Sequence, residues 1–402
     1  MRAPRIGLAL AGGGPLGAIY EIGALCALDE TLDGLDFTQL SGYVGVSAGG
    51  FIAAGLANGM TPRELCAAFI ENDRSEGGDL FRPSLLMRPA WGEYLHRLAS
   101  LPGLAAMAAF HYSFKRRSLL EALERLGRAL PTGLLSGAAM ERQLARLFNA
   151  PGRTNDFRRL QRKLVLVATD LDSGDAIPFG QAGHDDVPIS LAVQASAALP
   201  GLYAPVQVQG RTCVDGALKK TLHASVLLDE GLDLLICLNP LVPFDATRAK
   251  QHKILGSGEE RIPKLIDGGL PVVLSQTFRS LIHSRLELGL KGYAASHPAT
   301  DILLFEPDHR DPEMFLANTF SVSQRRMLAE HAYRRTRELL RSRRSTFAAQ
   351  LAPHGVTLNE AALDDDSRRL VSSVRGLPGT RSARALKRLD AVLCDLESAY
   401  AR

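Results

Sequence analysis

Short apolar runs punctuate the chain: Ile6 to Leu10, Tyr43 to Val46, Leu164 to Thr169, Tyr203 to Val208, Leu234 to Leu238 and Asp301 to Phe305. Most are unbroken, without the apolar and polar alternation of a strand that has one wet face, so they predict strands buried on both sides. Between them lie segments with helical character: Ala18 to about Leu32, the small-residue stretch Ala48 to Asn58, and an arginine-rich stretch from Ser323 to Arg344. A longer Leu- and Ala-rich region, Thr61 to about Leu147, is broken at Arg82-Pro83, Arg88-Pro89 and Leu101-Pro102-Gly103 and reads as an insertion between pieces of a sheet. Strands interleaved with helices predict an α/β fold with a mainly parallel central sheet covered on both faces. Pro353 to Thr380 reads as loop, and Ala383 to Tyr400 places Leu386, Leu389, Leu393, Leu396 and Tyr400 on one helical stripe, a surface for docking on the main domain or a second subunit. The expected division is a domain over 1–345, with the helical insertion at about 61–150, followed by a loop and C-terminal helical extension over 346–402.

Composition narrows the function classes. At 402 residues and 46% hydrophobic, the chain can bury a large core. Cys26, Cys66, Cys213, Cys237 and Cys394 have no CxxC or metal-like spacing and are odd in number, which argues against a disulfide framework or a zinc site. The net charge is only +4 and aromatics only 6%, with no run of basic and stacking residues, so no nucleic acid partner is expected. The basic start and the run Ile6 to Ala11 imitate a secretory signal, but Gly12-Gly13-Gly14 interrupts them before the roughly seven to fifteen apolar residues such a signal needs. No run approaches the roughly twenty apolar residues of a membrane span. A cytoplasmic, soluble protein is the expectation.

The candidate chemistry begins at Gly45-Val46-Ser47-Ala48-Gly49, where an apolar run meets a helix-like segment. A strand turning sharply into a helix lifts a serine hydroxyl out of the fold, and flanking glycines permit the turn, so Ser47 is the candidate nucleophile. Gly12, Gly13 and Gly14 follow the first strand and precede a helix with Pro15 in its first turn, so their bare backbone can aim N–H groups at a developing oxyanion. The same run fits Gly-x-Gly-x-x-Gly through Gly12, Gly14 and Gly17, a competing dinucleotide site. That reading needs an acid closing the second strand about twenty residues on, where Asp33 and Asp36 fall in a loop instead, and it leaves Ser47 unexplained. A serine also needs a base. Asp215, in Val214-Asp215-Gly216-Ala217, stands at the end of a strand and turn; His223 and His184 are the alternatives in a Ser, acid, His order.

Gly12 to Gly17, Gly45 to Gly49, the block Ala195 to Val206 (ASAALPGLYAPV) and Asp215-Gly216-Ala217 together resemble the four ordered signatures of the patatin-like phospholipases, of the bacterial type. The resemblance is close over about residues 6 to 225 and compatible up to roughly 340. It implies a patatin-like three-layer fold and a serine esterase or lipid acyl hydrolase of phospholipase A type. It also implies a Ser47–Asp215 dyad with no catalytic histidine, an oxyanion hole from the backbone of Gly12, Gly13 and Gly14, and no metal or organic cofactor. Two departures stand out. Leu16 replaces the usual basic residue of the glycine loop, and Ala217 followed by Thr221-Leu222-His223 replaces the usual Gly and then Asn and Pro. These departures leave room for a non-catalytic lipid-binding or regulatory protein on the same fold. The partner expected is a lipid or acyl-ester substrate, with peripheral membrane contact through the apolar Leu101 to Phe114 and the basic Lys115-Arg116-Arg117 as one option and an ordinary core helix as the other. Oligomeric state is not legible.

Overall fold

The computed structural model describes residues 3–71, 86–115, 129–247, 264–316 and 322–370. The C-terminal stripe, Arg82-Pro83, Arg116-Arg117 and Cys394 lie outside the described residues.

Among those residues, eight strands form one sheet: β1 (Ile6–Leu10), β2 (Gly42–Val46), β3 (Lys163–Asp170), β4 (Ala176–Phe179), β5 (Val206–Val208), β6 (Arg211–Asp215), β7 (Leu234–Leu238) and β8 (Asp301–Phe305). Their order is β8-β7-β1-β2-β3-β6-β5, with β4 also paired to β3. The strands from β8 to β3 run parallel, while β4, β6 and β5 add antiparallel pairings.

The unbroken apolar runs are explained by two cores. Leu8, Leu10, Tyr43, Leu166 and Ile236 point to one face of the sheet, whereas Ala9, Val44, Val46, Val165, Val167 and Cys237 point to the other. The first face is covered by α1 (Gly14–Thr31), α2 (Ala48–Ala57), α3 (Pro62–Phe69), α6 (Ile189–Ser196) and α8 (Val322–Ser342). The second is covered by α7 (Gly269–Ser296), through Ile282 and Leu286, and by the short helix Ser225–Leu228. The result is a three-layer α/β fold. Helix α1 is buried continuously from Gly17 to Leu28, because it lies between the sheet and α8 and has no face left for water.

Of the long helical region, α3 opens on a complete capping box between Thr61 and Glu64. Helix α4 (Trp91–Lys115) continues through Pro102, and α5 (Ala138–Phe148) follows. Three elements differ from expectation. Helix α1 starts at Gly14, not Ala18, since Pro15 suits the first turn. The run Tyr203 to Val208 is split at Ala204-Pro205: Gly201–Tyr203 pairs with Gly133–Leu135, and only β5 joins the main sheet. The stretch expected as loop from Pro353 contains a strand, Thr357–Leu358, paired with Leu32–Asp33, and a helix, Glu360–Asp364, capped by Asn359. Tertiary contact orders this non-periodic segment: the buried Arg337 guanidinium donates to the carbonyls of Ala362, Leu363 and Asp365.

Candidate active site

Strand β2 ends at Val46, and Ser47 turns the chain into α2 with φ 53° and ψ −121°. Such a conformation costs a non-glycine residue on the order of 1–3 kcal/mol and persists only where neighbours impose it. Two neighbours do. The Ser47 N–H donates to Ser196 Oγ at 2.8 Å, and the Ser196 hydroxyl donates to the Val167 carbonyl at 2.6 Å, tying the elbow to β3. Beyond the serine, the Gly49 N–H donates to the Ala11 carbonyl at 3.0 Å. A Cβ at residue 49 would lie 2.3 Å from that oxygen, so only glycine allows the approach.

The sheet register explains how residues so far apart in sequence meet. On one edge of β3, Val46 of β2 pairs with Val167, and the next position, Ala168, pairs with Asp215 of β6. Strand β4 occupies the opposite edge of β3 at the same positions, so β2 and β6 share an edge and approach end to end. The chain leaves the sheet at Ser47 where β6 arrives with Asp215. The Asp215 backbone is fixed by its N–H to the Ala198 carbonyl, 3.0 Å, and by the Thr169 hydroxyl donating to its carbonyl, 3.2 Å. Its carboxylate accepts the Ala217 N–H at 2.9 Å and lies close enough to the Ser47 hydroxyl for that group to favour its charged form. Both side chains are buried, at 6% exposure for Ser47 and 3% for Asp215. Burial pushes the carboxyl up to about 6, against the pull of those two groups.

The glycine loop completes the arrangement. A Cβ at residue 12 would sit 3.0 Å from Ser47 Cβ and 3.6 Å from its Oγ, so the loop backbone lies directly against the hydroxyl. Gly13 caps α1 with φ 145° and ψ 11°. Among the described residues, the N–H groups of Gly12, Gly13 and Gly14 donate to no backbone carbonyl, and they stand at the positive end of α1. Leu16, where a basic residue is usual, packs part-buried on the core.

The alternative assignments come out elsewhere. His223 is buried with φ 46°, and its Nε2 lies 3.2 Å from the Gly216 carbonyl oxygen, while desolvation lowers its pKa to about 4. It is therefore neutral near pH 7 and faces the turn after Asp215. His184 closes the tight turn Gly180 to His184 beyond β4. Asp33 lies in the small strand Leu32–Asp33 and Asp36 caps Thr38, so neither closes a second parallel strand as a dinucleotide site requires. Among the described residues, no group of three His, Cys, Asp or Glu side chains has the arrangement to hold a metal ion.

Ser196 and Ala198 are the positions that sequence reasoning did not single out. Their signal was present, since both lie in the block Ala195 to Val206, but nothing in the sequence says that this block clamps the backbones of residues 47 and 215. The altered loop after Asp215 is held by α7 and by His223: Thr221 Oγ1 donates to the Ile282 carbonyl at 3.2 Å, and Arg285 donates to the Leu218 carbonyl at 2.7 Å.

A hydroxyl beside a desolvated carboxylate, next to N–H groups at a helix start, is an arrangement suited to acyl transfer. The chain is similar to VipD from Legionella pneumophila at 17% identity, over 84% of this chain and 67% of that one, with a TM-score of 0.39. It is similar to ExoU of the Pseudomonas aeruginosa type III secretion system, solved in complex with SpcU, at 18% identity over 72% of this chain and 53% of that one, TM-score 0.28. A second crystal structure of ExoU gives 15% identity over 85% and 53%, TM-score 0.34. The family described as patatin-like phospholipase matches residues 8–228, a stretch that holds the glycine loop, the Ser47 elbow and Asp215. That match spans more than half of the sequence, and the chain belongs to the patatin-like phospholipase family.

Proposed function

We propose that the protein is a serine lipid acyl hydrolase that cleaves carboxylic ester bonds through an acyl-enzyme on Ser47, with Asp215 as the base. One observation supports the reading: β2 and β6 meet end to end on β3, so that Ser47 and the buried Asp215 stand at adjoining ends. In the first half-reaction Ser47 Oγ attacks the ester carbonyl, its proton passes to Asp215, and the alcohol or lysolipid leaves with a proton returned from that carboxyl group. In the second, Asp215 takes a proton from water as its oxygen attacks the acyl carbon, and returns that proton to Ser47 Oγ as the fatty acid leaves. Negative charge develops on the carbonyl oxygen in both steps, and the N–H groups of Gly12, Gly13 and Gly14 are the proposed donors to it. Each well-placed donor supplies roughly 10²-fold or more. The raised pKa of Asp215 makes it a stronger base than an exposed aspartate while leaving it ionised at neutral pH.

We propose also that residues 1–345 form the catalytic domain, with about 61–150 inserted in it, and that 346–402 is an extension. Its described part is anchored by the pairing of Thr357–Leu358 on Leu32–Asp33.

An activity-based fluorophosphonate probe tests the site. Wild type should be labelled covalently, Ser47→Ala should not, and Asp215→Asn should react far more slowly. An unlabelled but folded wild type would instead favour a lipid-binding protein without turnover.

A further inference from the structure

Helix α7 lies beyond the residues matched to the family, yet it holds the loops around the site. Its inner face receives Thr221 and donates from Arg285 to the acid loop, as described above. Arg279, desolvated so that its pKa falls to about 10, donates to the carbonyls of Pro240 at 3.2 Å and Val242 at 3.3 Å. Pro240 in turn lies against the glycine loop, 3.0 Å from where a Cβ of Gly13 would stand. Gln276 is bonded both ways to the backbone of Phe244. One helix thus supports both the loop after Asp215 and the loop beside Gly13.

The outer face of α7 is apolar. Leu270, Val273, Leu274, Phe278, Leu281 and Leu288 are 38% to 69% exposed, and the spacing of residues 270, 274, 281 and 288 puts them on one stripe. Large exposed apolar side chains in a row mark a contact surface, not ordinary scatter. The charges near it select the partner: Lys264, Lys291 and, on the acid loop, Lys220 are exposed, against Asp267 and Glu287, while Arg285 already holds the Leu218 carbonyl. An apolar stripe with a net basic rim on a helix suits the boundary of an anionic bilayer. No helix among the described residues is long and apolar enough to cross a membrane, so such a helix lies along the surface.

We propose that α7 docks the protein on an anionic lipid surface through this stripe, setting the acid loop and the glycine loop directly behind the bilayer contact. The proposal rests on the lipid hydrolase reading of the site, and the test separates the two. The full chain is sedimented with phosphatidylglycerol vesicles and with phosphatidylcholine vesicles, as wild type, as the triple variant Leu270→Glu, Leu274→Glu, Leu281→Glu, and as Lys264→Glu, Lys291→Glu. In parallel, fluorophosphonate labelling and hydrolysis of a soluble short-chain ester are followed. Wild type should prefer the anionic vesicles, the triple variant should bind them at least roughly tenfold more weakly, and the lysine variant should lose the lipid preference. Both variants should keep the wild-type labelling rate, because the replaced side chains are exposed. Unchanged sedimentation of the triple variant would overturn the proposal, as would a wild-type dimer that the triple variant splits into monomers, which would make the stripe a subunit interface. A wild type that sediments as expected but is never labelled would sink the hydrolase reading and leave the docking surface standing.

Discussion

Replacing Asp215 by Asn removes the one charge that the fold buries beside Ser47, and the consequence for stability has a definite sign. The carboxyl titrates near 3.8 in an unfolded chain and at about 6 in the fold, because desolvation outweighs the pull of the Ala217 N–H and the Ser47 hydroxyl. Between those values the folded protein keeps a proton that the unfolded chain releases, so stability falls as pH rises through about 4 to 6 and is level above. At roughly 1.4 kcal/mol per unit, the ionised group costs on the order of 3 kcal/mol at pH 8 relative to acid. An asparagine carries no charge to desolvate, and its Oδ1 can still accept the Ala217 N–H. Asp215→Asn should therefore be more stable than wild type at pH 8 by up to about 3 kcal/mol, with the gap closing towards pH 4, while ester hydrolysis is almost abolished. Urea unfolding at both pH values, alongside turnover of a soluble ester, measures this directly. In wild type kcat/KM should rise with pH around a midpoint near 6. A variant that is no more stable than wild type at pH 8, with the same pH dependence, would mean that the carboxylate is solvated, and the case for a desolvated base would fail.

Ser196→Ala should leave the Ser47 N–H without its acceptor at a cost of about 1–3 kcal/mol, and slow fluorophosphonate labelling as the elbow relaxes; Ser196→Thr should restore both, and a normal labelling rate in the alanine variant would reduce Ser196 to a packing residue. His223→Gln should keep activity within roughly tenfold of wild type, because the imidazole only faces the Gly216 carbonyl, whereas loss of a general base would cost roughly 10²- to 10⁴-fold. Arg337→Met should leave the carbonyls of Ala362, Leu363 and Asp365 without a shared donor, lower stability by about 2–4 kcal/mol, and open the 359–365 segment to limited proteolysis with little change in labelling. Cleavage no faster than in wild type would show that other contacts hold that segment.

Apolar runs are legible in sequence when burial on both faces leaves no polar position, which is why β1, β2, β7 and the Leu164–Thr169 part of β3 could be placed from pattern alone. The same logic failed for β6: Arg211 at its start is exposed and Thr212 half-buried, and Asp215 at its end is a buried charge, so the run carries no hydrophobic signature. The pairing of Thr357–Leu358 was invisible for a different reason, since the order comes from Arg337 and from a strand partner over three hundred residues away.

The glycine loop and the elbow were readable because each needs backbone that few side chains tolerate, and such positions restrict residue type. The clamp between them was not. Any residue with a hydroxyl could stand at 196 without looking unusual, and its importance arises only from where α6 delivers it, between the Ser47 N–H and the Val167 carbonyl. Register carries the rest. The pairing of β2 ends at Val167 and that of β6 begins at Ala168, so the two strands abut at consecutive positions on the edge of β3 and Ser47 leaves the sheet beside Asp215. Shifting β6 by one residue would turn the Asp215 side chain to the other face of the sheet while leaving every motif in the sequence intact. The motifs therefore identify the participants, and the shared edge of β3, with α6 and α7 bracing its two sides, decides whether they can react.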